Sequence, residues 1–130
     1  MNFILGFENG VITNLSKTET RMFFNREYNG QLIYEIGDQA CFRGIVTYID
    51  LTNTELLYIR YQAFIWCASL TTILLPSTLR EINNYVFTRS GLQKIDLPIG
   101  IKTVYSSAFN QANDLNEVNV DSNNEYYHSQ

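Results

Sequence analysis

Apolar residues recur along the chain in a six-residue pattern, apolar-x-x-apolar-x-apolar, which occurs at residues 46–51, 70–75, 92–97 and 115–120. The first residues of these segments are 24, 22 and 23 positions apart. Alternating inward positions predict a short β-strand in each segment. Pro76 and Pro98 directly follow two of the segments, where a strand can end without losing a ladder hydrogen bond.

A second pattern has the same period. It consists of two apolar residues three positions apart, three further residues, and then a small residue followed by a bulky one. It begins at Ile33, Leu56, Leu79 and Ile101. Its bulky positions are equally regular and hold Cys41, Phe64, Phe87 and Phe109. Two independent patterns with one period predict a repeat architecture.

Each repeat has too few apolar residues to close a core by itself, so stacked repeats must share one. We expect the apolar pair of the second pattern to point inward, and the segment after it to form a short helical turn. The small residue of each repeat allows close approach of neighbouring coils. Phe64, Phe87 and Phe109 are therefore predicted to stack on one another.

The first forty residues do not follow this period. Asn9-Gly10 lies between two apolar runs and Asn29-Gly30 precedes another, and both dipeptides favour tight β-hairpin turns. We interpret residues 1–32 as an N-terminal β cap, and residues 33–130 as about four coils of one continuous domain. No comparable cap is evident after Val120, which indicates a truncated end or one that pairs with another molecule.

The stretch from Ile73 to Phe87 resembles the BspA-like, or treponemal-type, leucine-rich repeat, L-x-x-I-x-L-P-x-x-L-x-x-I-x-x-x-A-F-x-x-C. Residues 92–109 match it again, and the resemblance covers about residues 29–124. There are departures from the pattern. They are Cys41 in place of phenylalanine, Ser90 and Ala112 in place of cysteine, and Thr52 in place of proline.

The resemblance implies a right-handed solenoid with parallel strands. Together with the patterns above, it predicts an α/β fold: a right-handed leucine-rich-repeat solenoid with a short parallel sheet on one face, short helical turns opposite, and an N-terminal β-hairpin cap. It also implies a cell-surface or secreted protein that binds protein partners, including partners from a host. No signal peptide is evident in the sequence itself.

The composition narrows the function further. The net charge is −4 and the nine lysines and arginines are scattered, whereas nucleic-acid binders carry a basic stripe. No apolar run approaches the length of a membrane-spanning helix. We therefore expect neither a nucleic-acid partner nor membrane insertion.

Catalytic chemistry has little support. His128 is the single histidine and lies in the polar C-terminal tail. Cys41 and Cys67 occupy repeat positions that we expect to be buried, where free cysteine behaves as a small apolar residue. Carboxylates and histidines do not cluster as metal ligands do. We therefore predict no enzyme activity, no metal site and no cofactor.

The third and fifth residues of each predicted strand should face solvent. They form two columns, Tyr48, Thr72, Lys94 and Glu117 in one and Asp50, Leu74, Asp96 and Asn119 in the other. These eight residues are the candidate partner-binding surface, with Leu74 beside Tyr48 as its anchor. A single exposed apolar residue is also common without any function. Tyr61, Tyr85 and Tyr105 form an aromatic rim or merely cover the corner of each coil.

The sequence thus predicts a protein-binding repeat module of an adhesin-like protein. The alternative is a structural spacer or an end-to-end assembly module without a specific ligand. The expected state is a monomer or a weak end-to-end associate.

Overall fold

The computed structural model describes residues 3–127 of the 130-residue chain. The described residues form β-strands and contain no helix. The strands are β1 (Ile4–Glu8), β2 (Val11–Leu15), β3 (Arg21–Phe23), β4 (Glu27–Tyr28), β5 (Gln31–Leu32), β6 (Glu35–Ile36), β7 (Tyr48–Asp50), β8 (Tyr58–Ile59), β9 (Thr72–Leu74), β10 (Glu81–Ile82), β11 (Lys94–Leu97), β12 (Thr103–Val104) and β13 (Glu117–Val120).

Five strands lie in rows on one side of the solenoid, hereafter the strand face. Strands β3, β7 and β9 pair in parallel in that order, and β11 pairs in parallel with β13. Strands β9 and β11 are in contact but belong to separate sheets. The strand face therefore has two halves, with the division between Leu74 and Lys94.

A second sheet forms another side of the solenoid, with strand order β1-β2-β6-β8-β10-β12. From β2 to β12 the pairing is parallel, and it aligns one apolar position in each coil. The aligned side chains are Ile12, Ile36, Ile59, Ile82 and Val104. The apolar-x-x-apolar pairs point inward as predicted, because their members are buried apart from Val104, which is half-buried.

The two predicted hairpin turns are confirmed. Strands β1 and β2 pair antiparallel around Asn9-Gly10, and β4 and β5 pair antiparallel around Asn29-Gly30. All four turn residues have positive φ, between 51° and 84°, as type I′ turns require. Asparagine and glycine tolerate this backbone conformation best.

The repeat nevertheless starts earlier than the sequence pattern indicates. Strand β3 pairs in register with β7, so the strand face has five rows rather than four. Arg21 precedes its partner Tyr48 by more than one regular period, because the second hairpin lengthens this coil. The extra length hides the first row from a search at fixed period.

The prediction of short helical turns is wrong. The segments concerned are here called the turn face and consist of successive turns, at residues 38–43, 61–66, 84–89 and 106–111. In the first segment the amides of Ala40 and Phe42 bond to carbonyls of their own coil, whereas those of Gln39 and Cys41 bond to carbonyls of the next coil. A helix needs consecutive amides that bond within one segment. Alternate amides are instead used to join coils.

The core is one apolar column that runs through all the coils. Phe64, Phe87 and Phe109 stack with nearly parallel rings, at centroid distances of 6.1 Å and 5.7 Å. Phe64 and Phe87 are fully buried, whereas Phe109 is partly exposed because it lies near the C-terminal end of the stack. The predicted phenylalanine column is therefore confirmed.

Candidate protein-binding surface

The eight residues predicted for the strand face fall into two groups of four. In the N-terminal half, Tyr48 is beside Thr72 and Asp50 is beside Leu74. In the other half, Lys94 pairs with Glu117 and Asp96 with Asn119. The first four residues are half-buried and the last four are exposed. The columns are thus correct within each half, but the division between β9 and β11 interrupts them.

The N-terminal half continues into a row that the sequence analysis missed. Phe23 on β3 is 54% exposed, and its ring centroid is 5.5 Å from that of Tyr48. The guanidinium of Arg21 lies 4.3 Å from the Tyr48 ring centroid and 5.5 Å from that of Phe23, within cation–π range. The alternation of Met22 with these outward residues was the one available signal. Phe23, Tyr48 and Leu74, with Arg21, are hereafter the aromatic end.

A small cleft adjoins the aromatic end. It has a volume of about 140 Å³ and lies where the N-terminal hairpins meet β3, lined by Phe3, Phe23, Phe24 and Tyr28 among others. This volume is below the roughly 300–1,000 Å³ of most small-molecule sites. It suits a single side chain of a partner better than a cofactor.

The C-terminal half of the strand face is polar and internally hydrogen-bonded. The Asn119 side-chain amide donates to Asp96 Oδ1 at 2.9 Å and to Glu117 Oε2 at 2.7 Å. These side chains hold one another in place across the β11–β13 pair. The C-terminal half therefore presents a polar surface without an apolar anchor.

Asp50, the last residue of β7, also has hydrogen-bond partners. It accepts from the Thr52 amide at 2.9 Å and from the Thr52 hydroxyl at 2.6 Å. Thr52 stands where Pro76 and Pro98 follow other strands. The Asp50–Thr52 hydrogen bonds make a turn in place of the proline.

The three tyrosines predicted at the coil corners lie away from the strand face. Tyr61 and Tyr85 contact each other edge to face, with ring centroids 6.2 Å apart. Both of these residues and Tyr105 are exposed. The two alternatives for these tyrosines, an aromatic rim or a cover for the coil corners, stay open.

Charged residues on the second sheet form ion pairs with one another. Arg60 bonds Glu35 at 3.0 Å and Glu81 at 3.3 Å, one carboxylate from each neighbouring coil. The hydrogen bond with Glu35 raises the pKa of Arg60, so the guanidinium remains charged. The Arg60 guanidinium also lies 4.3 Å from the Tyr58 ring centroid. This ladder joins three coils, with one guanidinium between two carboxylates.

The two cysteines are buried, as predicted, and lie close together. The Cys67 thiol donates to the Cys41 carbonyl at 2.9 Å. The pKa of Cys67 is raised, first by the neighbouring Cys41 side chain and then by burial. A protonated, enclosed thiol is a poor nucleophile. Cys67 therefore serves the core as a small apolar side chain.

Within residues 3–127, no group of three or more histidine, cysteine, aspartate or glutamate side chains is placed to hold a metal ion. Over the same residues, no helix is both long and apolar enough to cross a bilayer. His128, the one histidine, lies outside the described residues.

Part of the C-terminal end of the described chain is covered, although no cap was evident from the sequence. Asn124 is buried, and the two N–H groups of its side-chain amide are shared among three carbonyls of the coil beneath, at N···O distances of 3.0–3.1 Å. The carbonyls belong to Pro98, Ile99 and Ile101. Its side-chain oxygen accepts from the backbone amides of Tyr126 and Tyr127, at 2.7 and 2.8 Å.

Tyr127 adds a further contact to this cover. Its hydroxyl accepts from the Val104 amide at 2.8 Å. Val104 belongs to β12, the last strand of the second sheet, so the tyrosine satisfies a donor at a sheet edge. Residues 121–127 thus cover the coil beneath them.

Stacked coils of about 23 residues, with a parallel strand in each and one shared apolar column, define a leucine-rich-repeat solenoid. Residues 34–130 match the family model of the BspA-type leucine-rich repeat region in six copies, and the chain belongs to this family.

Solved structures give the same fold. A leucine-rich repeat protein from Bacteroides capillosus superimposes with a TM-score of 0.72 at 20% identity, over 85% of this chain and 86% of that one. The T. pallidum leucine-rich repeat protein superimposes with a TM-score of 0.63 at 22% identity, over 83% of this chain and 62% of that one. A search of curated proteins finds no match.

Proposed function

We propose that this chain is a protein-binding module of a cell-surface or secreted, adhesin-like protein, and that the aromatic end of its strand face is the primary contact surface. The observation that carries the proposal is the cluster that exposed Phe23 and Arg21 form with half-buried Tyr48. Leu74 lies two rows from Phe23 in the same column, with Asp50 between them. The family supports a role in protein interaction. A host protein is the partner that we propose.

The chemistry of the aromatic end suits protein recognition. Aromatic and arginine side chains carry much of the binding energy in protein interfaces. Here they project from a paired sheet, so little conformational entropy is lost when a partner binds. The adjoining cleft beside Phe23 has room for one partner side chain. The C-terminal half, with its bonded Asp96, Glu117 and Asn119, is better suited to a polar rim.

The test compares proteins captured by the immobilised chain from an extracellular host protein fraction. We expect Phe23→Ser and Leu74→Glu each to reduce capture of a specific partner about tenfold or more, which corresponds to about 1.4 kcal/mol. Leu5→Ser is the matched control, because Leu5 is exposed on β1 in the other sheet. Circular dichroism melting checks that all three variants are folded. Equal capture by every variant would exclude the strand face as the contact surface.

A specific observation also favours the alternative, end-to-end assembly. Val118 occupies the inward position of its row, where Ile49 and Ile73 are buried, yet it is 45% exposed. A second copy stacked on β13 would cover it. Sedimentation velocity over a wide concentration range tests this idea. Association that Val118→Asp abolishes is the expected result for an assembly module, and a monomer at every concentration would count against it.

The proposed location has its own test. Protease added to intact source cells is expected to remove the protein while a cytoplasmic marker survives. Full protection from the protease in intact cells, together with absence from the medium, would contradict a surface or secreted location.

A further inference from the structure

Three side chains on the turn face form a cluster that the proposed function does not use. Arg43, Trp66 and Arg89 occupy the same repeat position in three successive coils. All three have a left-handed backbone with φ of 59°. The amide of Arg43 bonds the Ile65 carbonyl at 3.1 Å, and the Trp66 amide bonds the coil after it. The backbone therefore fixes these side chains in one column.

The indole of Trp66 is in cation–π contact with two guanidinium groups. The Cζ atom of Arg43 lies 4.4 Å from the indole centroid and that of Arg89 lies 5.3 Å from it, one from the coil before and one from the coil after. Phe42 stacks beside Trp66 at 6.2 Å. Trp66 is 36% exposed and Phe42 is 40% exposed. Cation–π contacts of this kind orient guanidinium groups without using their N–H donors.

The positive charge of this cluster is not neutralised. Among the described residues, the ion pairs found involve Arg26 and Arg60, and no carboxylate lies within 4.0 Å of Arg43 or Arg89. Arg89 Nε donates to the neutral Gln111 side chain at 2.9 Å. The two arginines lie on either side of Trp66, although the net charge of the chain is −4. Like charges held together this way favour an anionic ligand.

The surroundings are open to a ligand. Arg43, Trp66, Ala68 and Arg89 line a shallow hollow of about 330 Å³. Arg89 also lines a second hollow, together with Gln111, Asn113 and Asp114.

We propose that Arg43, Trp66 and Arg89 form a second binding surface, for an acidic protein segment whose carboxylates pair with the two arginines. Arginine binds carboxylates through two parallel hydrogen bonds, which gives it a preference for this partner. A nucleic acid or a heavily sulfated glycan would need many more cations than two. Because the indole is already in contact with guanidinium groups, it is poorly placed to stack on a sugar ring. This surface is separate from the aromatic end, so the two proposals can fail independently.

The chain offers a direct probe, because Trp66 is its single tryptophan. Its fluorescence can be followed while a short peptide with glutamate at alternate positions and serine between them is added. We expect a saturable change at peptide concentrations below about 1 mM. The affinity should fall as sodium chloride rises from about 50 to about 300 mM, because exposed charge pairs are screened.

Two arginine variants and two matched ligands sharpen the test. Arg43→Gln and Arg89→Gln should each weaken peptide binding at least about fivefold, whereas Arg26→Gln, which removes an arginine elsewhere, should leave it unchanged. The same peptide with glutamine for glutamate should not bind. No change in Trp66 emission, equal binding of the glutamine peptide, or tighter binding of a heparin fragment than of the acidic peptide would each overturn the proposal.

Discussion

Phe87→Ala is expected to lower the free energy of unfolding by about 3–5 kcal/mol, the usual cost of removing a buried phenylalanine. Phe87 is the middle ring of the stack, fully buried between Phe64 and Phe109. Its loss leaves a cavity. A neighbouring coil could fill this cavity only by breaking the backbone hydrogen bonds that join it to the rest of the stack. Since small domains have a total stability of roughly 5–15 kcal/mol, the variant would be close to unfolding at about 37 °C. Urea denaturation followed by circular dichroism measures the change.

Two further phenylalanines serve as controls for this prediction. Phe109→Ala should cost clearly less, because Phe109 is partly exposed near the end of the stack. Phe42→Ala, at a surface position 40% exposed, should change stability least. Equal losses from Phe87→Ala and Phe42→Ala would contradict the shared core on which the fold depends.

Asn124→Ala is expected to lower the free energy of unfolding by about 2–3 kcal/mol. The substitution removes two N–H donors that three carbonyls share and an oxygen that accepts two hydrogen bonds, and the Ile101 carbonyl loses the hydrogen bond from Asn124. A buried polar group that is left without a hydrogen-bond partner lowers the free energy of unfolding by about 1–3 kcal/mol. Amide hydrogen exchange should show the loss first near Val104 and residues 121–127, because the cover over that coil opens locally.

Asn123→Ala is the matched control, since it removes the same amide group at an exposed position next to Asn124. Its effect should stay within about 0.5 kcal/mol. If the two asparagine variants were equally stable, residues 121–127 would not act as a cover for the solenoid.

The sequence predicted the repeat correctly but missed two places where it changes. The hairpin around Asn29-Gly30 lengthens one coil, so β3 lay outside the period and Phe23 was not recognised as part of the candidate surface. Asn124 falls at the position that Ile101 holds one coil earlier, where a polar residue breaks the apolar pattern. A pattern search treats such a residue as the end of the repeat. In the structure its hydrogen bonds make it a cover.

The error about helical turns has a physical cause. Small and bulky residues at fixed spacing are compatible with a helical turn, and nothing local indicates where each amide finds its acceptor. In the structure, Gln39 and Cys41 bond to the next coil, and Gln39 and Arg43 have positive φ. Local propensity is weak beside such tertiary hydrogen bonds. The acceptors exist only after the coils have stacked.

For the candidate surfaces, too, the sequence did not reveal the contacts between coils. The period placed Tyr48, Thr72 and Leu74 on one face, and strand pairing confirms that placement. It could not show that β9 and β11 separate into two sheets, or that Arg21 lies against Tyr48. Nor could it show that Trp66 lies between two arginines, one from each adjacent coil.

By itself, the sequence determined the period, the apolar column with Phe64 and Phe87, the strand rows and the two Asn-Gly turns. These follow from the spacing of apolar residues and from local backbone preferences, which act over short stretches of chain. Only the tertiary structure decided which amides join neighbouring coils, where the solenoid begins and is covered, and which charges remain unpaired. Those features depend on contacts between residues about one coil apart, and such contacts form only when the coils have stacked.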